Sequence, residues 1–145
     1  MFKSILVAVD GGKLSFKALD VAMKLVASCP ATLTVMTATP DFPAFAGGDG
    51  YMITPMDARQ WRNAGKQRAE AIEKQVAKQL KTVPHEFTAV TSDHPHDAII
   101  RVAKKRKCDL IVMASHGRRG LSAILLGSET NKVLTHSTIP VLVCR

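Results

Sequence analysis

Ile5, Leu6, Val7, Ala8 and Val9 form an unbroken apolar run that stops at Asp10-Gly11-Gly12. A strand with one wet face alternates apolar and polar residues. A run without that alternation belongs to a strand covered on both faces. Covering both faces takes helices on either side of a sheet, and parallel strands joined by helical crossovers supply them. This one segment therefore restricts the chain to an α/β layout, provided the rest of the sequence supplies alternating helices and further buried strands.

It does. The first strand is expected over residues 3–9. Asp10-Gly11-Gly12 is a turn signal. Residues 14–29 place Ala18, Leu19, Ala22, Met23, Leu25 and Val26 at helical spacing, and Pro30 stops that helix. Residues 32–37, rich in Thr, Val and Leu, read as a second strand. Residues 40–55 hold three prolines and three glycines, with Phe42, Phe45 and Tyr51 between them, and read as a long irregular loop that lids a pocket or packs on itself. Ala69, Ile72, Val76 and Leu80 mark an amphipathic helix over residues 56–80. Residues 85–91 are a third strand. Pro95 opens a helix whose inner face is Ala98, Ile99, Val102 and Ala103. Residues 110–113 are a fourth strand, residues 128–136 a short helix and residues 139–144 a fifth strand. The fold class is α/β: an open five-stranded parallel sheet with helices on both faces, in one domain. Such sheets bind ligands at the carboxyl ends of the strands, where strand order reverses. Residues 10–12, 37–43 and 114–120 all lie at such ends and are expected to converge.

The segment after the fourth strand is the richest in chemistry. Ala114-Ser115-His116-Gly117-Arg118-Arg119-Gly120 leads to Leu125-Leu126-Gly127-Ser128, where a Ser-capped helix is expected to begin. Glycine lets backbone N–H groups approach an anion, and a helix N-terminus adds free donors and a positive dipole end. Strand, glycine loop and helix start make a phosphate cradle. Spacing alone is a weak signal, since glycines after a strand are commonly just a turn, and the loop is not a Walker A loop, since no Lys follows Gly127.

Composition narrows the setting. The 145 residues suffice for one core, and the formal charge of +8 favours anionic partners without choosing among them. No stretch approaches the roughly 18–20 apolar residues of a membrane helix, and the first apolar run is too short for a signal peptide; a cytoplasmic protein is expected. Cys29, Cys108 and Cys144 are widely spaced and match no metal pattern, so reduced, buried or half-buried thiols are expected.

Over its whole length the chain resembles the universal stress protein family. The resemblance rests on Ile5-Leu6-Val7-Ala8-Val9-Asp10-Gly11, Ser115-His116-Gly117-Arg118-Arg119-Gly120, Leu125-Leu126-Gly127-Ser128 and Ile139-Pro140-Val141-Leu142-Val143. It implies a Rossmann-like sheet of the adenine nucleotide alpha hydrolase-like type and a homodimer formed through the last strand. One branch of the family binds ATP through Gly, two residues, Gly, nine residues, then Gly-Ser or Gly-Thr. Gly117, Gly127 and Ser128 match this pattern, whereas Ala114 stands at the first glycine and Gly12 where a serine commonly follows the Asp-Gly pair. Ala114 is tolerated if its backbone is ordinary and crowds the site if φ is positive. The resemblance implies an ATP-binding stress-response module, with ATP accompanied by Mg2+ or Mn2+. Asp10, with Gly11 and Gly12, would meet the adenosine end. Ala38 would meet adenine through its backbone. Gly117, Gly127, Ser128 and the N–H groups of Ser115, His116, Gly117, Arg118, Arg119 and Gly120 would meet phosphates. The Ser128 hydroxyl would cap the helix or touch a phosphate or its metal. A dimeric interaction module without nucleotide, and a slow ATPase, are the alternatives.

Several residues keep two readings. Asp10 is a ligand contact or a turn residue. Arg118 and Arg119 pair with phosphates or are solvated. His116 senses phosphate charge or, the favoured reading, packs in the loop. Asp93-His94-Pro95-His96-Asp97 looks like a metal cluster but is better read as a helix start capped by Asp93 or His94, with Pro95 in the first turn. The cations Lys104, Lys105, Arg106 and Lys107 suit a helix C-terminus better than nucleic acid. No catalytic constellation is present in the sequence.

Overall fold

The computed structural model describes residues 1–41, 55–115 and 126–145. Its elements are β1 (Ser4–Ala8), α1 (Lys13–Ser28), β2 (Thr32–Thr39), α2 (Pro55–Leu80), β3 (Glu86–Thr91), α3 (Pro95–Lys105), β4 (Leu110–Ala114), α4 (Ser128–His136) and β5 (Val141–Cys144). They build a five-stranded sheet in the order β3-β2-β1-β4-β5. Every pairing is parallel.

Alternation along each strand divides the core in two. Ile5, Val7 and Val9 of the first strand segment, with Leu33, Val35, Leu110 and Val112, pack with residues of α1 and α2. Leu6, Met36, Ile111 and Met113 point the other way and pack with residues of α3 and with Val133 of α4. The runs that lacked polar alternation are thus buried on both faces, as the parallel sheet requires.

Element ends differ from the sequence expectation for local reasons. β2 runs two residues further than expected, because Ala38 and Thr39 stay in register with Val90 and Thr91. β5 starts at Val141 rather than residue 139: Pro140 has no N–H to donate, and the Ser137 hydroxyl accepts the Ile139 N–H in a turn (3.0 Å). At α4 the N-cap is Gly127, so Ser128 is the first helical residue and makes no cap bond. The expected serine cap is therefore corrected to a glycine cap. At α3, His94 holds the cap position without a side-chain cap bond, and Pro95 fills the first turn. The acceptor comes from elsewhere: the His96 N–H donates to the Glu129 carboxylate of α4 at 3.0 Å. Asp93 instead accepts the Asp41 N–H. Cys29, Cys108 and Cys144 are free thiols, Cys108 buried and the others half-buried, and burial pushes the Cys108 and Cys144 thiols up.

Candidate functional site

The chain winds outward from β1 through β2 to β3, then returns to place β4 on the other side of β1. The reversal puts a crevice at the carboxyl ends of β1 and β4. Two of the segments singled out by sequence, residues 10–12 and residues 114–115, sit at those two strand ends.

At the end of β1, the Asp10 carboxylate accepts the Gly12 N–H at 2.8 Å. The Ser15 hydroxyl accepts the Asp10 N–H at 3.3 Å and donates to the Gly12 carbonyl at 2.8 Å. Gly11 takes φ +86°, a left-handed conformation that a side chain strains. Gly12, with φ −80° and ψ 154°, caps α1 in a conformation open to any residue. Asp10 is thus a turn-forming residue in this geometry, and the turn stands at the mouth of the crevice.

At the end of β4, Ala114 does not have a positive φ; among the described residues only Lys81 and Lys107 do so without being glycine. Its methyl group lies in the core shared with α1 and α2. The departure from glycine at this position therefore carries no backbone strain. The buried Ser115 accepts the Gly127 N–H through its hydroxyl at 3.0 Å, while its own N–H donates to the Cys144 carbonyl at 3.0 Å. Both N–H groups are engaged within the protein, so neither is a spare phosphate donor in this arrangement. Thr130 donates to the Ala114 carbonyl at 3.3 Å. The first intrahelical bond of α4 is Asn131 N–H to Gly127 O, which leaves the N–H groups of Ser128, Glu129 and Thr130 as the free-end donors of the helix. His116, Gly117, Arg118, Arg119 and Gly120 lie outside the described residues, as do Phe42, Phe45 and Tyr51.

Ala38 is placed by strand parity. The Met36 carbonyl turns toward β1 and accepts the Val9 N–H at 2.9 Å. Backbone groups two residues on point to the same side. Ala38 therefore directs its N–H and C=O to the β1 side, beyond the last β1 partner pair, Ala8 with Met36.

Sequence reasoning did not find three contributors. Ser15 is hidden inside a helix pattern and Thr130 inside another. Arg68 of α2 donates to the Asp10 carbonyl at 3.1 Å. It borders a cleft of about 420 Å³ together with Asp10, Gly11, Gly12, Ile72 and Gln75. No local motif marks it; the contact spans 58 residues of sequence.

The His-rich segment ties the start of α3 to α4. His96 Nδ1 lies 2.9 Å from Glu129 Oε2, and Lys132 Nζ donates to Glu129 Oε1 at 2.9 Å. Burial pushes the Glu129 carboxyl up, but bonds from Lys132, the His96 ring and the His96 N–H outweigh it and hold the carboxyl at about 2. Among the described residues no group of three or more His, Cys, Asp or Glu is arranged to hold a metal ion. Among them, too, no helix is long and apolar enough to cross a membrane.

Comparison with known proteins agrees with this architecture. The family model described as "Universal stress protein family" matches residues 1–145. A protein of Thermus aquaticus, "Universal stress protein in QAH/OAS sulfhydrylase 3'region", is 34% identical over 145 residues, covering 100% of each chain. The solved universal stress protein UspA from Lactobacillus plantarum superposes with a TM-score of 0.77 at 22% identity, over 99% of this chain and 97% of that one. A universal stress protein solved in complex with cAMP matches with a TM-score of 0.71 at 25% identity, over 99% of this chain and 97% of that one.

Proposed function

The chain belongs to the universal stress protein family, and from that premise we propose that it is an ATP-binding regulatory module of the cytoplasm. The observation that carries the proposal is the convergence at the strand-order reversal. The Asp10–Gly12 turn and the open N-terminal end of α4 stand on neighbouring strands, β1 and β4. The backbone of Ala38 faces the same gap from β2. Adenine recognised by backbone groups, sugar beside Asp10, and phosphates at the helix start is the arrangement this placement favours. The relative solved with cAMP supports an adenine nucleotide as the class of ligand.

The residues present fit such a ligand. The exposed Ser128 hydroxyl is released from capping because Gly127 takes the cap. It can reach a phosphate or the Mg2+ or Mn2+ that accompanies it. A metal here would be carried mainly by the phosphates, for the chain gathers no acidic or histidine cage among its described residues. Bound ATP acts as a ligand that alters partner affinity rather than as a fuel. The working unit is a homodimer paired through β5, the edge strand, where Leu142 is exposed.

Calorimetric titration with ATP and magnesium tests the reading, with Gly127→Val as control. Micromolar binding that the variant loses is expected. A folded protein that binds neither ATP nor cAMP is instead an interaction module without nucleotide. Phosphate release that depends on Asp10 or Ser128 would make it a slow ATPase.

A further inference from the structure

α2 presents Arg68, Ile72 and Gln75 to the β1–α1 turn from one helical face. Ile72 is the anchor. It is buried, and its Cδ1 and Cγ1 atoms would lie 3.4 Å from a Cβ placed on Gly11. A crossover helix in a parallel sheet runs opposite to the strands, so Arg68 stands about 6 Å nearer the carboxyl end of the sheet than Ile72. The guanidinium is steadied there by the Asp10 carbonyl at 3.1 Å. A guanidinium has five N–H donors in a rigid fork, and this contact uses one. Arg68 also borders the cleft formed with Asp10, Gly11 and Gly12. The Asp10 carboxylate, which shares the cleft, is turned back onto the Gly12 N–H at 2.8 Å.

The geometry points to Arg68 as a ligand-contacting residue that binds the phosphate next to the sugar of a nucleotide held at the strand ends. This inference rests on the nucleotide reading above. In that reading the ligand runs from Ala38 past Asp10 to the start of α4, and the group that follows the sugar is the α-phosphate. Arg68, joined to the Asp10 carbonyl, stands beside the turn that meets the sugar in that reading, whereas the outer phosphates would meet the start of α4. A planar fork suits a phosphate in a way that a point charge does not.

The test is calorimetric titration of the full chain and its Arg68→Gln and Arg68→Lys variants with adenosine, AMP and ATP, all with magnesium. Thermal unfolding of each unliganded protein is measured alongside. Arg68→Gln is expected to weaken AMP and ATP by the same factor, about tenfold, and to leave adenosine unchanged. Arg68→Lys should fall between the two. Equal losses for all three ligands would overturn the assignment and make Arg68 a strut between α2 and the turn. A loss that grows from AMP to ATP would also overturn it, by placing the contact on the outer phosphates. Binding by the parent that Arg68→Gln leaves intact removes Arg68 alone, whereas a parent that binds none of the three removes the nucleotide reading together with it.

Discussion

Gly11 and Glu129 show how much one residue can decide at this site. Gly11 holds φ +86° at the end of β1, with Ile72 against it. A methyl group there forces an L-residue into the left-handed region, so Gly11→Ala is expected to lose about 1–2 kcal/mol in denaturant unfolding. An unchanged midpoint would mean that the turn relaxes. Glu129 makes a pH prediction. Its carboxyl is held at about 2 against an ordinary 4.5, so the folded state releases that proton more readily than the unfolded chain. The associated stability is present above about pH 4.5 and is lost as pH falls from there toward 2. Glu129→Gln should therefore flatten the fall of Tm across that window and leave its slope above pH 5.5 unaltered; a variant that follows the parent through the window would sink the idea. Gly11 was legible in the sequence, because an Asp-Gly-Gly stop after an apolar run is a local signal. The role of Glu129 was not: its partner His96 is 33 residues away, and the cap it supplies to α3 replaces a local one that sequence reasoning assigned to Asp93 or His94.

Between elements, the decisive link joins β4 to α4. Ser115 accepts the Gly127 N–H, and Thr130 donates to the Ala114 carbonyl, so strand end and helix start are clamped together across 12 and 16 residues of chain. The clamp fixes where the α4 N-terminus stands relative to the crevice. Ser115→Ala removes the acceptor and leaves the Gly127 N–H without it, which should cost about 1 kcal/mol in chemical denaturation. The same variant should weaken ATP more than it weakens adenosine, because the helix start serves the phosphates. A variant with parental stability and parental ATP affinity would show that water replaces the hydroxyl. The elements themselves were read closely from periodicity, composition and turn signals: all nine stand where the sequence put them, with ends shifted by no more than two residues. The shifts arise where tertiary contact overrides local signal, as at Ala38 and Thr39, whose small polar and apolar side chains read as loop until β3 supplies the register. Side-chain clamps have no period, and so Ser115 was marked for its backbone while its hydroxyl went unnoticed.

At the scale of the molecule, the two sheet edges are unlike. β3 opens with Glu86, which pairs with Arg106 at the end of α3, and a charge on an edge discourages another strand from docking. β5 carries Val141, Leu142, Val143 and Cys144 without a charge, and Leu142 is 37% exposed. Strand order, which periodicity alone does not give, is what makes β5 an edge; once the sheet is ordered β3-β2-β1-β4-β5, an apolar strand is left with one side that no other strand among the described residues pairs. Pairing with the same strand of a second copy satisfies the backbone groups on that side and covers the leucine across a two-fold axis. Leu142→Asp tests this, with thermal unfolding of the variant checking that the single chain still folds, because Leu142 is the β5 side chain most exposed in the single chain. Light scattering should give twice the chain mass for the parent and the single mass for the variant, with the thermal transition of the variant becoming independent of protein concentration. A variant that keeps the doubled mass would place the contact elsewhere, and a parent of single mass would leave β5 protected by some other means than a second copy.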